Sequence, residues 1–110
     1  MIYILASPED QGDFGLEPIA GICKQRGVPV FVDAAAEGLT PEIHLRRGAD
    51  LVAYSGGKAL RGPQCAGLLL GAKKLCQAAW LHSAPHHAFG RSMKVGKEEI
   101  MGMLAAAEMW

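Results

Sequence analysis

Val30-Phe31-Val32-Asp33-Ala34-Ala35 and Val52-Ala53-Tyr54-Ser55-Gly56-Gly57-Lys58 determine the fold class of this chain. Each opens as an apolar run suited to a buried strand of a parallel sheet, and each changes to polar or flexible groups where the strand should end. In an open α/β sheet, ligands bind outside the carboxyl ends of the strands. The first segment carries a carboxylate, Asp33, to that edge. The second carries the Ser55 hydroxyl, two glycines and the Lys58 amine.

Outward from these segments, strands alternate with helices. Residues 2–5 form a short apolar run before the polar, turn-rich stretch 7–12, which predicts a strand and a loop. Leu16, Ile19, Ala20 and Cys23 recur at helical spacing. Gly27 stops that helix, Pro29 prevents its return, and Lys24 and Arg26 suit its last turn. A strand is then predicted over 28–32, a short helix over 41–47 closed by Gly48, and a strand over 50–54. Strand, helix, strand, helix, strand is a parallel pattern with right-handed crossovers. The 59–65 connection is too short for a helical crossover, so 67–70 should pair antiparallel. Residues 72–80 read as a helix and 81–95 as a loop. Residues 97–110 read as a helix with Ile100, Leu104 and Ala107 on one face, and Met101, Met103 and Met109 as packing residues. The expected architecture is α/β, three-layered, with a mostly parallel sheet and helices on both faces.

The 110 residues leave room for one domain, and half of them are hydrophobic. Eleven Lys and Arg balance eleven Asp and Glu, so no broad basic field exists to collect nucleic acid or an anionic membrane surface. No apolar run reaches the roughly 18 residues a membrane span needs, and no signal-like segment opens the chain. Cys23, Cys65 and Cys76 share no CxxC spacing, which predicts reduced structural thiols and a cytoplasmic location.

An amine, an acid and small residues at neighbouring strand ends suit pyridoxal 5′-phosphate (PLP). The amine can form a Schiff base, the acid can pair with the pyridine nitrogen, and the small residues let backbone approach a phosphate. The stretch Ala49-Asp50-Leu51-Val52-Ala53-Tyr54-Ser55-Gly56-Gly57-Lys58-Ala59-Leu60-Arg61-Gly62-Pro63-Gln64-Cys65-Ala66-Gly67 resembles the lysine segment of the fold-type-I PLP-dependent enzymes. Among these it is most similar to the group of bacterial selenocysteine synthase and D-glucosaminate-6-phosphate ammonia-lyase, and a weaker likeness runs over most of the chain. The resemblance implies that Lys58 holds the cofactor, that Asp33 faces the pyridine nitrogen with Ala35 against the ring, and that Ser55 contacts the phosphate. It also implies an antiparallel strand just after the lysine.

Each residue has a plainer alternative. Lys58 could be a surface loop lysine, Asp33 a turn cap and Ser55 a turn residue. A P-loop is excluded, because Val52 stands where its first glycine belongs and Ala59 replaces the magnesium-binding Ser or Thr. Arg61, Gln64 and Arg91 are candidates for holding substrate anions, since arginine grips carboxylate or phosphate in a fork. His82, His86 and His87 lie in a loop with no Cys or acid at ligand spacing, so no metal is expected.

Similarity thus implies a PLP-dependent lyase or transferase acting on a small anionic amino acid or amino sugar acid. Lys58 would release the cofactor to the substrate amine and return as general base, with α/β-elimination as the expected reaction. The alternatives are a selenocysteine-synthase-type transferase on seryl-tRNA and a truncated, non-catalytic piece. Residues 1–110 read as the central part of a PLP-binding large domain, incomplete at both ends, from an enzyme expected to be a homo-oligomer.

Overall fold

Three parallel strands form where the apolar runs predict them, in a computed structural model that describes residues 1–7 and 12–110. β1 (Ile2–Leu5), β2 (Val30–Asp33) and β3 (Leu51–Ser55) lie side by side in that order, each parallel to the next. Helix α1 (Leu16–Gln25) makes the first crossover and α2 (Pro41–Arg46) the second. Residues 8–11 of the loop expected after β1 lie outside the described residues, and Gly12–Phe14 forms a 3-10 turn. β4 (Gly67–Gly71) joins β3 antiparallel, with Ser55 opposite Gly67 and Leu51 opposite Gly71. The short connection before it allows nothing else.

Where strand ends differ from the predicted ones, hydrogen bonds give the reason. Arg26 and Val28 both donate their N–H groups to the Cys23 carbonyl, at 3.0 Å each, and Gly27 takes the left-handed φ of +62° that such a helix exit needs. The segment before Val30 is thereby committed to the helix end, and β2 starts at residue 30 rather than 28. Asp50 serves as a clamp rather than as the first residue of β3. Its carboxylate accepts the Val30 N–H at 2.8 Å, while its own N–H donates to the Val30 carbonyl at 2.8 Å.

Alternation along the strands gives the sheet two different faces. Val30, Val32, Val52 and Tyr54 turn to one side and build the core with Leu16, Ala20 and Cys23 of α1, and Leu68 and Leu70 of β4 pack against it. Gly48 leaves α2 at a φ of +105°, where a Cβ would stand 2.6 Å from that of Ala20, so the exit of α2 and the body of α1 lie in close contact. Across the same seam Arg47 grips Glu17 through two bonds of 2.6 and 2.9 Å, which holds the Glu17 carboxyl below its usual range. The opposite face carries Tyr3 and Phe31, whose rings meet edge to face at 5.6 Å.

α3 (Lys73–Leu81) follows β4, and α4 (Lys97–Glu108) closes the described chain. The inward stripe of α4 differs from the predicted one. Residues 102, 103, 106 and 107 turn inward, whereas Ile100 and Leu104 stay at least half exposed. The cause is tertiary: α4 lies against the 56–63 segment, where Met103 approaches Gly56, Ala106 meets Gly62 and Gly102 meets Pro63. All three cysteines are free, but Cys65 is exposed and so is not the structural thiol expected. The radius of gyration, 14.5 Å, exceeds the roughly 13 Å of a compact domain of this length. Several large apolar groups accordingly stay uncovered, among them Leu5, Phe89, Met101 and Met109.

Leu16 is fully buried whereas its neighbour Phe14 is 88% exposed. Leu16→Ala should cost about 2–5 kcal/mol in urea unfolding, and Phe14→Ala within about 0.5 kcal/mol of nothing. Equal midpoints for the two variants would contradict the packing of α1.

Candidate active site

Asp33 is the last residue of β2 and pairs in register with Ala53 of β3. The pairing carries on for one bond, from the Ala34 N–H to the Ala53 carbonyl at 2.9 Å, and there the chain turns. An Asp at a strand end can make that turn itself, by accepting from the backbone two residues on. Here the Ala35 N–H donates to Asp33 Oδ1 at 3.0 Å. The other oxygen, Oδ2, accepts from the Tyr3 hydroxyl at 2.6 Å. Both oxygens of the carboxylate are therefore aimed by donors from different parts of the chain.

The loop from Asp33 to α2 is secured from within. The Glu37 N–H donates to the Ala34 carbonyl at 2.9 Å, and its carboxylate lies 2.7 Å from Nε2 of the buried His44. His44 Nδ1 is buried with no hydrogen-bond partner among the described residues, and the Tyr54 hydroxyl is buried close to Thr40. Burial is the main cause that pushes the Tyr54 phenol above its ordinary value, with nearby Thr40 pulling the other way.

One strand over, Ser55 ends β3 and the chain enters a loop closed by its own backbone. Gly56 N–H donates to the Ala66 carbonyl at 2.9 Å, Gly62 N–H to the Gly56 carbonyl at 2.7 Å, and Arg61 N–H to the Lys58 carbonyl at 2.9 Å. Lys58 is exposed in that loop, and among the described residues no hydrogen bond or ion pair engages its ammonium. Neighbouring strands lie about 4.8 Å apart, so the turn leaving β3 emerges beside the end of β2.

The glycines have a role the sequence did not reveal. A Cβ on Gly56 would stand 2.7 Å from the Pro63 carbonyl oxygen and 2.8 Å from that of Ala66, and one on Gly57 would stand 2.5 Å from Gln64 Oε1. The close approach they permit is to the chain's own 63–66 segment, which folds back and fixes the loop that bears Lys58.

The candidate residues fall into two sets. Asp33, Ala35, Ser55 and Lys58 lie at adjoining strand ends, with Gln64 packed on Gly57 and Arg61 bonded to the Lys58 carbonyl. Arg61, at a left-handed φ of +54°, lines a cavity of about 540 Å³ with Leu60, Ala106 and Trp110. Arg91 lines a different cavity, of about 600 Å³, with His82, His87 and Phe89. His86 turns to the Trp80 and Ser83 carbonyls and packs edge-on against the Trp80 ring. Among the described residues no three His, Cys, Asp or Glu side chains cluster as metal ligands would.

The residues fit a PLP group on chemical grounds. An exposed, unengaged amine stands at one strand end, and a carboxylate with both oxygens oriented stands at the next. Sequence reasoning missed Tyr3 as a partner of Asp33. The tyrosine was visible, but the register that brings β1 to β2 is not written in either strand alone.

The chain is similar over most of its length to several known enzymes. The chain is 43% identical over 95 residues to a 5′-C-glycyluridine monooxygenase-decarboxylase of Streptomyces sp, covering 83% of the chain and 22% of that protein. It is 30% identical over 104 residues to the L-seryl-tRNA(Sec) selenium transferase of Proteus mirabilis, covering 84% of the chain and 21% of that protein. The solved structure of D-glucosaminate-6-phosphate ammonia-lyase superposes with a TM-score of 0.82 at 31% identity, over 97% of this chain and 28% of that one. No protein-family model matches. Sequence and fold together place the chain in the fold-type-I PLP-dependent group of lyases and transferases. It spans about a quarter or less of the length of the curated relatives it matches.

Gly56→Ala should loosen the lysine loop, because the new methyl meets two backbone carbonyls that have no side chain to move aside. A loss of about 1–3 kcal/mol is expected, with faster proteolysis within 59–66. Unchanged melting and cleavage would show that the loop packs otherwise.

Proposed function

We propose that this chain is the central part of a larger PLP-binding domain and supplies its cofactor lysine. The observation that carries the reading is the exposed Lys58 in the loop leaving β3, with the doubly oriented Asp33 carboxylate at the end of the neighbouring strand β2. The exposed apolar residues of β1 and α4 support the wider claim, since patches of that kind are normally covered by more protein.

In this reading Lys58 is the residue that would hold the cofactor and would then move a proton at the substrate α-carbon. When bound, PLP supplies the electron sink that lets negative charge develop at that carbon. Asp33 would hold the ring nitrogen protonated, Ala35 would lie against the ring, and Ser55 would offer its hydroxyl to the phosphate. Arg61, Gln64 and Arg91 are the proposed holders of substrate anions. Because Arg61 and Arg91 line separate cavities, they would grip separate groups or act in different subunits of a homo-oligomer.

The proposed reaction is elimination of ammonia or a β-substituent from a small anionic amine. The balanced charge argues against aminoacyl-tRNA as substrate, since such a complex needs many phosphate contacts. One observation favours a second reading. The 43% identity to a monooxygenase-decarboxylase points to loss of the α-carboxylate instead. Release of ammonia and a keto product distinguishes elimination from release of carbon dioxide.

Borohydride reduction of the full-length holoenzyme, followed by peptide mapping, should place a pyridoxyl group on Lys58. A label elsewhere, or none, ends the proposal. Asp33→Asn should slow turnover more than tenfold, because the amide keeps the shape but cannot hold the pyridinium charge. Turnover equal to the parent's would reduce Asp33 to a turn residue.

A further inference from the structure

We propose that Tyr3 is a positioning residue for the PLP site, acting through its hydrogen bond to Asp33. The inference rests on the assignment of Asp33 to the cofactor's ring nitrogen and adds the group that aims it.

The placement follows from register. Tyr3 stands opposite Phe31 and Leu5 opposite Asp33, so Tyr3, Phe31 and Asp33 share one face of the sheet. The tyrosine ring is steadied edge-on by Phe31 at 5.6 Å, and from there its hydroxyl reaches Asp33 Oδ2 at 2.6 Å. That length belongs to the strong class of hydrogen bonds from a hydroxyl to an ionised oxygen. The Ala35 N–H takes Oδ1. Each carboxylate oxygen has a second lone pair, so the carboxylate can accept a protonated ring nitrogen without releasing either donor.

Two consequences follow. Rotation of the carboxylate about its last bond is suppressed before any cofactor arrives, which lowers the ordering cost of binding. The negative charge is also shared with the phenol. The Tyr3 phenol is in turn held above its ordinary value, first by this bond and then by burial and the charge of Asp33. A backbone donor such as Ala35 is present whatever the side chains are, whereas Tyr3 can be altered by one atom. Tyr3 is 58% exposed here and contributes no core packing, so Tyr3→Phe removes the hydroxyl and keeps the ring against Phe31.

The test is a double-mutant cycle in the full-length protein, read as PLP affinity of the apoenzyme by equilibrium dialysis and as the pH dependence of the bound cofactor's absorption. Tyr3→Phe should weaken PLP binding about three- to tenfold when Asp33 is present and shift the absorption titration. In an Asp33→Asn background it should change affinity less than about twofold. An equal loss in both backgrounds means that Tyr3 acts through general structure, and no loss with Asp33 present means that it does not act at all; either overturns the proposal. If Asp33→Asn itself changes neither affinity nor spectrum, the assignment of Asp33 fails and the inference falls with it. If Asp33→Asn has its effect and Tyr3→Phe has none, only the role of Tyr3 is lost.

Discussion

The register between β2 and β3 is the constraint on which everything else in this chain depends. Asp33 pairs with Ala53 because Phe31 and Val32 pair with Leu51 and Val52, and those pairs hold because Val32 and Val52 must both face the core. A slip by one residue would turn that apolar set away from α1 and carry Asp33 to the opposite face. The burial that stabilises the sheet therefore also decides which chemical groups meet at its edge. Asp50 reinforces the alignment from the other end by bonding Val30 through side chain and backbone at once.

A second level of control lies in the loop that bears Lys58. Its backbone groups are satisfied internally, its glycines admit the 63–66 segment, and α4 closes over it with Met103. Met103 is nearly fully buried although its helix has apolar residues all round. The amine is thus presented from a braced loop rather than a free one, which suits a lysine that must reach a defined atom. The same contacts explain why the inward stripe of α4 is displaced from the one its own sequence suggests.

Much of the arrangement was legible from residues alone. The parallel order of β1, β2 and β3, the antiparallel β4, the helix ends at Gly27 and Gly48, and the strand-end placement of Asp33 and Ser55 all follow from apolar runs, turn residues and connection lengths. These are local signals, and the structure keeps them. Strand β2 began late because Val28 was needed by the helix exit. Cys65 lay outside because its loop turns to solvent. Neither could be seen without the neighbouring element.

What the sequence determined by itself was chemistry and order: an α/β chain, with an acid ending one buried strand and an amine following the next. Only the tertiary structure decided how those groups are held. It brought Tyr3 across from β1 onto Asp33, tied His44 to Glu37, set Gly56 and Gly57 against their own loop, and put Arg61 and Arg91 in separate cavities. The physical reason is range. Propensity, capping and alternation act within a few residues and are written in order along the chain. A hydrogen bond between residues 3 and 33 depends instead on register, twist and packing, which exist only once the strands have met.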